Sequence, residues 1–177
     1  MGLSTLFLDF YCLPIRDILV LMAVATWIFL RLQERFGSRV LWKLFLLAGL
    51  TGGMAVILHQ TVLNRGAAVV NAVCLMPFHS YREVLNGGNP EILRSNFMNV
   101  VLFYPAGLLA ASLLPRKWPR WIRAALPFLL LVSFSAGVEY FQYSHQMGRA
   151  EIDDVIHNGF GALLGCLCSL ISLPKKF

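Results

Sequence analysis

Ionisable and amide residues gather between positions 139 and 158 of a chain that is otherwise rich in apolar residues. Glu139 lies within a long apolar run. If that run spans a membrane, a charge at its centre costs roughly 2.5–3.5 kcal/mol, and less near the interface. Gln142 follows at i+3 and shares the helical face of Glu139. We therefore expect Glu139 to be paired, protonated or directed into a polar cavity, which makes it a candidate functional residue.

A second polar group follows on the next helical segment. Asp154 and Asn158 share one face of that helix, and Asp153 and His157 share another. Asn99 lies near the start of an earlier apolar run, where a buried amide needs hydrogen-bond partners. We predict that one polar pocket is lined by Asn99, Glu139, Gln142, Arg149, Asp153, Asp154 and Asn158.

The chemistry of such a pocket has two interpretations. Two carboxylates near Arg149 would supply an acid–base pair and an anion clamp. Ser144 is the only hydroxyl near this group that could act as a nucleophile, so the catalytic residues stay unassigned. Alternatively, Glu139, Arg149 and Asp154 form a buried ion network that only determines the order of the helices.

Metal and cofactor chemistry finds little support in the sequence. The imidazole and carboxylate groups that would suit zinc lack a ligand spacing such as HExxH; they are His79, His145, His157 and Asp153. The four cysteines, Cys12, Cys74, Cys166 and Cys168, give neither a zinc ligand set nor a disulfide framework. We predict no metal site and no cofactor.

Composition indicates the elements that must position these residues. The chain is 58% hydrophobic and 14% charged, whereas a soluble domain carries about 25% charged residues. Its net charge of +6 comes from short basic clusters between apolar runs, so membrane topology explains the charge better than a nucleic-acid partner does. We predict an all-α fold, a polytopic bundle of membrane helices.

Five apolar stretches approach the ~20 residues that a transmembrane helix needs. They are residues 15–30, 41–63, 96–114, 122–143 and 155–173. The predicted organisation is therefore two N-terminal helices in residues 1–63, a non-cytoplasmic loop in 64–94 with an interfacial piece, and a three-helix core in 95–173.

The basic residues predict the orientation of these spans. Ten of the fifteen fall on one side if the spans alternate: Arg31, Arg35, Arg39, Lys43, Arg116, Lys117, Arg120, Arg123, Lys175 and Lys176. The positive-inside rule makes that side cytoplasmic. The N-terminus is then outside and the C-terminus inside, in a multi-pass plasma-membrane protein. Nearly all acids fall on the outer side, which no topology rule requires.

Three motifs occur in order along residues 75–170. Residues 75–78 read LMPF, with Pro77 and Phe78, and residues 99–108 read NVVLFYPAGL, with Pro105 and Gly107. The third consists of Glu139-x-x-Gln142, then Arg149, Asp153-Asp154-Val and Asn158-x-x-Gly161-x-x-x-Gly165. Together they resemble the VanZ-like family, which is associated with low-level teicoplanin resistance. Cys74 departs from the family pattern, which usually has Asn at that position.

The resemblance implies an envelope protein whose outward-facing pocket binds a lipid-linked cell-wall component or a lipoglycopeptide antibiotic. Pro77, Phe78, Pro105 and Gly107 are then structural. A membrane enzyme acting on a lipid-linked or cell-wall substrate is the first alternative, and a small transporter or channel subunit is the second. Besides membrane lipid, a second copy of the chain is a possible partner, because Gly161 and Gly165 form a small-xxx-small pair that allows close helix packing.

Overall fold

Helices make up most of the computed structural model, which describes residues 12–37, 39–63 and 72–171. These described residues form six α-helices, namely α1 (Ile15–Phe36), α2 (Val40–Leu58), α3 (His79–Leu85), α4 (Glu91–Leu113), α5 (Arg120–Ser144) and α6 (Ile152–Ser169). A π-helical turn, His59–Leu63, continues α2, and two short strands, β1 (Val73–Cys74) and β2 (Ala150–Glu151), pair with each other. The predicted all-α class is confirmed.

Three of the described helices are long and apolar enough to cross a membrane. They are Val40–Leu63, Glu91–Leu113 and Arg120–Ser144, and they coincide with the second, third and fourth predicted spans. The first and fifth predicted spans correspond to α1 and α6, which are not among these three. Residues 172–173 of the fifth span, the terminal lysines and residues 64–71 of the predicted loop lie outside the described residues.

The chain divides into two compact units, of which the first comprises residues 1–45 with 171–177. In this unit the end of α1 packs against the start of α2. The Trp42 indole Nε1–H donates a hydrogen bond to Gln33 Oε1. The Trp42 ring centroid lies 5.9 Å from that of Phe29 and 6.4 Å from that of Phe36. These aromatic contacts hold the short connection between the two helices.

The second unit, residues 46–170, is centred on the contact between α4 and α6. A Cβ atom added at Gly161 would lie 2.2 Å from the carbonyl oxygen of Val100, and one at Gly165 would lie 2.1 Å from that of Tyr104. The two backbones therefore touch without intervening side chains. The glycine spacing allows close helix packing, and the helix packed against this face is α4 of the same chain.

Apolar side chains fill the space around this contact. Phe103 and Ala106 of α4, Leu131 of α5, Ala162 of α6 and Ile57 of α2 form one buried cluster. The successive contacts 100–161 and 104–165 run in the same direction along both helices, so α4 and α6 are parallel. Helix α4 continues through the exposed Pro105 without ending there.

The two strands join the segments that precede α3 and α6. Val73 pairs with Ala150 and Cys74 pairs with Glu151, in parallel register. This pairing brings the loop after the π-helical turn to the loop between α5 and α6. The start of α4, the end of α5 and the start of α6 therefore lie at one end of the second unit, which we call the polar end. The predicted loop 64–94 contains β1, α3 and the first turn of α4.

Candidate functional site

Asp153 is the most enclosed carboxylate at the polar end, with 1% of its surface exposed. Its Oδ1 accepts a hydrogen bond from the backbone N–H of Phe78 at 2.5 Å. Its Oδ2 accepts bonds from the N–H and the hydroxyl of Ser80, at 2.9 and 2.5 Å. Three donors on one side chain favour the ionised carboxylate. Asp153 thus satisfies the orphan N–H groups at the start of α3, which has no side-chain cap of its own.

The Ser80 hydroxyl extends this contact to α4. It accepts a hydrogen bond from the Asn96 side-chain amide at 2.8 Å, and both residues are buried. Phe78, just before the helix, has φ 59°, a left-handed conformation that costs energy for a bulky residue. The bonds to Asp153 and Asn96 offset that cost and hold α3 on the helix bundle.

His157 makes the third link between α3 and the bundle. Its Nδ1 lies 2.5 Å from the carbonyl oxygen of Asp153, and its Nε2 lies 2.8 Å from the hydroxyl of Tyr81. A carbonyl oxygen can only accept a hydrogen bond, so the Nδ1 of the neutral ring carries the hydrogen and donates the bond to Asp153. The Tyr81 hydroxyl then donates to Nε2. The two rings also stack, with centroids 5.7 Å apart.

Glu139 and Gln142 occupy one buried face of α5, as their spacing predicted. Glu139, 8% exposed, accepts the backbone N–H of Glu151 on its Oε2 at 3.1 Å. Gln142, 1% exposed, donates from Nε2 to the carbonyl oxygen of Thr61 in the π-helical turn at 2.5 Å. The same face of α5 therefore contacts β2 and the end of the α2 segment.

The two predicted asparagines join different helix pairs. Asn99 of α4 donates to Asp154 Oδ1 of α6 at 2.8 Å. Asn158 of α6 donates to the hydroxyl of Ser135 of α5, also at 2.8 Å. Asn158 is 7% exposed, and its Oδ1 has no hydrogen-bond partner. Rotating the amide by 180° would instead leave its NH₂ group facing that unpaired position, so Asn158 is only half satisfied in either orientation.

Arg149 and Glu151 carry the half-exposed charge of the polar end. Arg149 Nε lies 3.1 Å from Glu151 Oε1, and its terminal nitrogen lies 3.4 Å from His79 Nδ1. Partial burial raises the pKa of Glu151; Arg149 opposes this shift, while Asp154 and Asp153 add to it. Burial is the largest cause of this shift, and the Glu151 carboxyl lies beside the Arg149 cation.

An open depression adjoins this group. It has a volume of about 630 Å³ and is lined by Met76, His79, Arg82, Glu83, Asn86, Gly87 and Gly88. His79 belongs to both features, since it lines the depression and contacts Arg149. Its Nδ1 also lies 3.7 Å from Glu83 Oε2. Within the described residues, no three His, Cys, Asp or Glu side chains come together as a possible metal site.

Comparison with known proteins identifies the family of this sequence. The family model described as VanZ/LLP1 matches residues 18–173. The chain belongs to the VanZ/LLP1 family. The resemblance predicted from three motifs is confirmed, and the match also includes α1 and α2, which those motifs do not touch. Neither the curated proteins nor the solved structures provided a match.

In this VanZ/LLP1 chain the seven predicted pocket residues divide into two groups. Glu139 and Arg149 bond directly to Glu151, Asp153 and Asp154 influence its charge, and Asn99 joins them through Asp154. Gln142 and Asn158 bond elsewhere, to Thr61 and Ser135. None of the seven lines the open depression. Their role as a ligand pocket stays a prediction.

Sequence reasoning passed over several residues of α3 in this VanZ/LLP1 chain, including Arg82, which lines the depression. Ser80, Tyr81 and Arg82 lie in a stretch interrupted by prolines and glycines, which indicated a loop. The only available signal was the run of residues 79–85 without Gly or Pro, long enough for two helical turns. The carboxylate that accepts hydrogen bonds at the start of this helix belongs to Asp153, 73 positions from Ser80 along the chain.

Proposed function

We propose that this VanZ/LLP1 protein crosses the plasma membrane of the cell envelope five times, with its N-terminus outside. The positive-inside rule motivates the orientation. The β1–β2 pairing supports the alternation of α4, α5 and α6, because it keeps the loops before α3 and α6 at the same end. The basic connection 114–119 joins the end of α4 to the start of α5, at the end of the unit opposite the polar end. If this connection is cytoplasmic, the polar end faces the outside.

We further propose that the polar end binds the anionic headgroup of a lipid-linked cell-wall component. The observation that carries this proposal is the position of His79, between the depression and Arg149. Arg82 lines the depression and Arg149 adjoins it, so two guanidinium groups are available to a phosphate, for which Arg is well suited. Phe78 is 54% exposed and Leu85 is 85% exposed, and both offer apolar surface for the lipid portion.

The buried hydrogen bonds have a supporting role in this proposal. Asp153, Asn96 and His157 hold α3 against α4 and α6. A site built on α3 needs such support, because a seven-residue helix is unstable alone in water. The predicted pocket residues would thus act largely by positioning the surface that touches the ligand.

Binding of a lipid-linked peptidoglycan precursor to the purified full-length protein tests the proposal. We expect Arg82→Gln and Arg149→Gln each to weaken binding about tenfold, the loss of one good charge-assisted contact. Lys117→Gln removes a charge from the opposite end and serves as the matched control. If all three variants bind alike, the depression is not the headgroup site.

A glycopeptide antibiotic is the other ligand that the family resemblance suggests. Expression of the wild-type chain in a sensitive host should raise the teicoplanin concentration needed to stop growth, and Glu139→Ala should abolish that increase. Glu139 bonds the backbone of Glu151, so its loss would disturb the position of Arg149. Equal susceptibility of wild-type and empty-vector cells would exclude the antibiotic form of this proposal.

One observation favours a second candidate function, a membrane enzyme acting on a lipid-linked substrate. Glu151 combines a raised pKa with an adjacent Arg149, the arrangement of a general acid next to an anion clamp. Mass spectrometry of membrane lipids should then reveal a product that disappears in Glu151→Gln and Asp154→Asn cells. An unchanged lipid profile on expression of the wild type would count against catalysis.

A further inference from the structure

A cleft of about 330 Å³ lies where α1 ends and α2 begins, within the first compact unit. Its lining is aromatic and aliphatic apart from one cation, and consists of Leu32, Phe36, Arg39, Leu41, Trp42 and Phe45. The volume is at the small end of the range for ligand sites. The proposed function above makes no use of this cleft.

The charge around the cleft is predominantly positive. The guanidinium carbons of Arg35 and Arg39 lie 5.4 and 5.0 Å from the ring centroid of Phe36, so a single ring positions two cations. Glu34 lies 3.8 Å from Arg31. Among residues 12–37 and 39–63, no carboxylate lies within ion-pair distance of Arg35, Arg39 or Lys43. An anion at this point would offset their mutual repulsion.

The other wall of the cleft is apolar and open. Leu41 is 79% exposed and Phe45 is 61% exposed. The Phe45 ring stacks on Trp42 with centroids 5.2 Å apart, and the Trp42 indole N–H is already bonded to Gln33. This wall therefore offers rigid hydrocarbon surface without a free donor from the indole. Leu41 and Phe45 also lie at the start of a helix long enough to cross the membrane.

A cationic edge beside an apolar wall matches the two halves of a phospholipid. We propose that this cleft binds an anionic membrane phospholipid, with its phosphate at Arg35 and Arg39 and an acyl chain along Leu41 and Phe45. Free phosphate would use only the first half of the site. The proposal rests on membrane insertion of the chain and is independent of any ligand at the polar end.

Native mass spectrometry of the delipidated full-length protein, titrated with defined lipids, provides the test. We expect phosphatidylglycerol to bind at least about tenfold more tightly than phosphatidylcholine, since two basic residues attract its net negative charge. The double variant Arg35→Gln/Arg39→Gln should lose about that factor. Lys117→Gln/Arg120→Gln removes the same charge from the other basic connection and should retain it.

A third variant separates a lipid from a free anion. Phe45→Ser should weaken phosphatidylglycerol binding several-fold, and millimolar inorganic phosphate should not displace the lipid. Equal affinity of the wild type for the two lipids would overturn the proposal, and this result does not depend on the folding of any variant. Equal losses in the two charge variants would overturn it as well, because net charge rather than the cleft would then govern binding.

Discussion

Helices α4 and α6 meet in two ways along their length. Toward their C-terminal halves, Gly161 and Gly165 bring the α6 backbone against Val100 and Tyr104 with no side chain between. At the polar end the contact is made instead by side chains, such as Asn99 on Asp154. The glycine contact leaves no room for adjustment. The contact at the polar end consists of separate hydrogen bonds that reach different elements.

The two kinds of contact have different structural roles. Backbone contact between α4 and α6 sets the position and register of the two helices, since even one added methyl group would collide with a carbonyl. The hydrogen bonds of the polar end then position α3 and the strands on that frame. Loss of a glycine should therefore affect the whole unit, and loss of one hydrogen bond should affect mainly one loop.

The largest effect is expected from Gly165→Ala. Its Cβ would lie 2.1 Å from the Tyr104 carbonyl oxygen and 2.6 Å from the Leu108 backbone nitrogen, so the helices must separate. Overpacking of this kind costs about 3 kcal/mol or more. Gly137→Ala on α5 is the matched control, because its Cβ would meet no atom within 4 Å. Thermal unfolding in detergent measures both, and an equal melting temperature would refute the tight contact.

The second effect is local. Asp153→Ala leaves the N–H groups of Phe78 and Ser80 without their acceptor, which costs about 1–3 kcal/mol. Hydrogen exchange should accelerate in residues 78–86 and remain unchanged in the part of α4 that follows Asn99. Asp17→Ala, which removes an exposed carboxylate paired with Arg16, should leave exchange in α3 unaltered. Uniformly faster exchange throughout the second unit would contradict the separate roles of the α4–α6 backbone contact and the hydrogen bonds that hold α3.

A third prediction concerns pH. The pKa of Glu151 is raised above its ordinary value of 4.5 by burial, so the folded state binds its proton more readily than the unfolded state. Its contribution to stability is full below pH 4.5 and declines as the pH rises through the raised pKa. Glu151→Gln should remove that decline, a change of at most about 1 kcal/mol for a half-exposed group. Identical stability profiles of the two proteins between pH 4 and 7 would contradict this assignment.

The smallest effect on stability is expected at Asn158. Its amide makes one bond, to Ser135, and leaves its oxygen unpaired, so replacement by Leu removes a half-satisfied polar group along with one hydrogen bond. The free energy of unfolding should change by less than about 1 kcal/mol. A larger loss of stability would mean that Asn158 helps to hold the helices of the second unit together. A loss of ligand binding at unchanged stability would assign it to function.

Sequence patterns predicted the parts of this structure that depend on local spacing. The helical positions of Gly161 and Gly165 indicated close packing, and the i+3 relation of Glu139 and Gln142 placed both on one buried face of α5. Three of the five predicted spans correspond to helices long enough to cross a membrane. Such features follow from the helical repeat, which any single sequence displays.

The sequence did not predict the hydrogen-bond partners of the polar residues, because these partners lie far away along the chain. Nothing near Asp153 in the sequence indicates that it accepts bonds from Ser80, 73 positions away, or that Gln142 bonds to Thr61, 81 positions away. A buried carboxylate must find donors, but the sequence does not say which ones. The hypothesis of a single pocket lined by seven residues assumed that polar side chains near one membrane interface face one another.

By itself, then, the sequence determined a membrane protein of helices, their approximate limits and the family, because length, apolar content and motif spacing are local properties. The tertiary structure decided that α3 exists within a stretch that indicated a loop, that Asp153 and His157 hold it, and that Glu139 and Arg149 meet at Glu151. Those features arise from hydrogen bonds and an ion pair between segments that are distant along the chain, and no local sequence pattern specifies such partners.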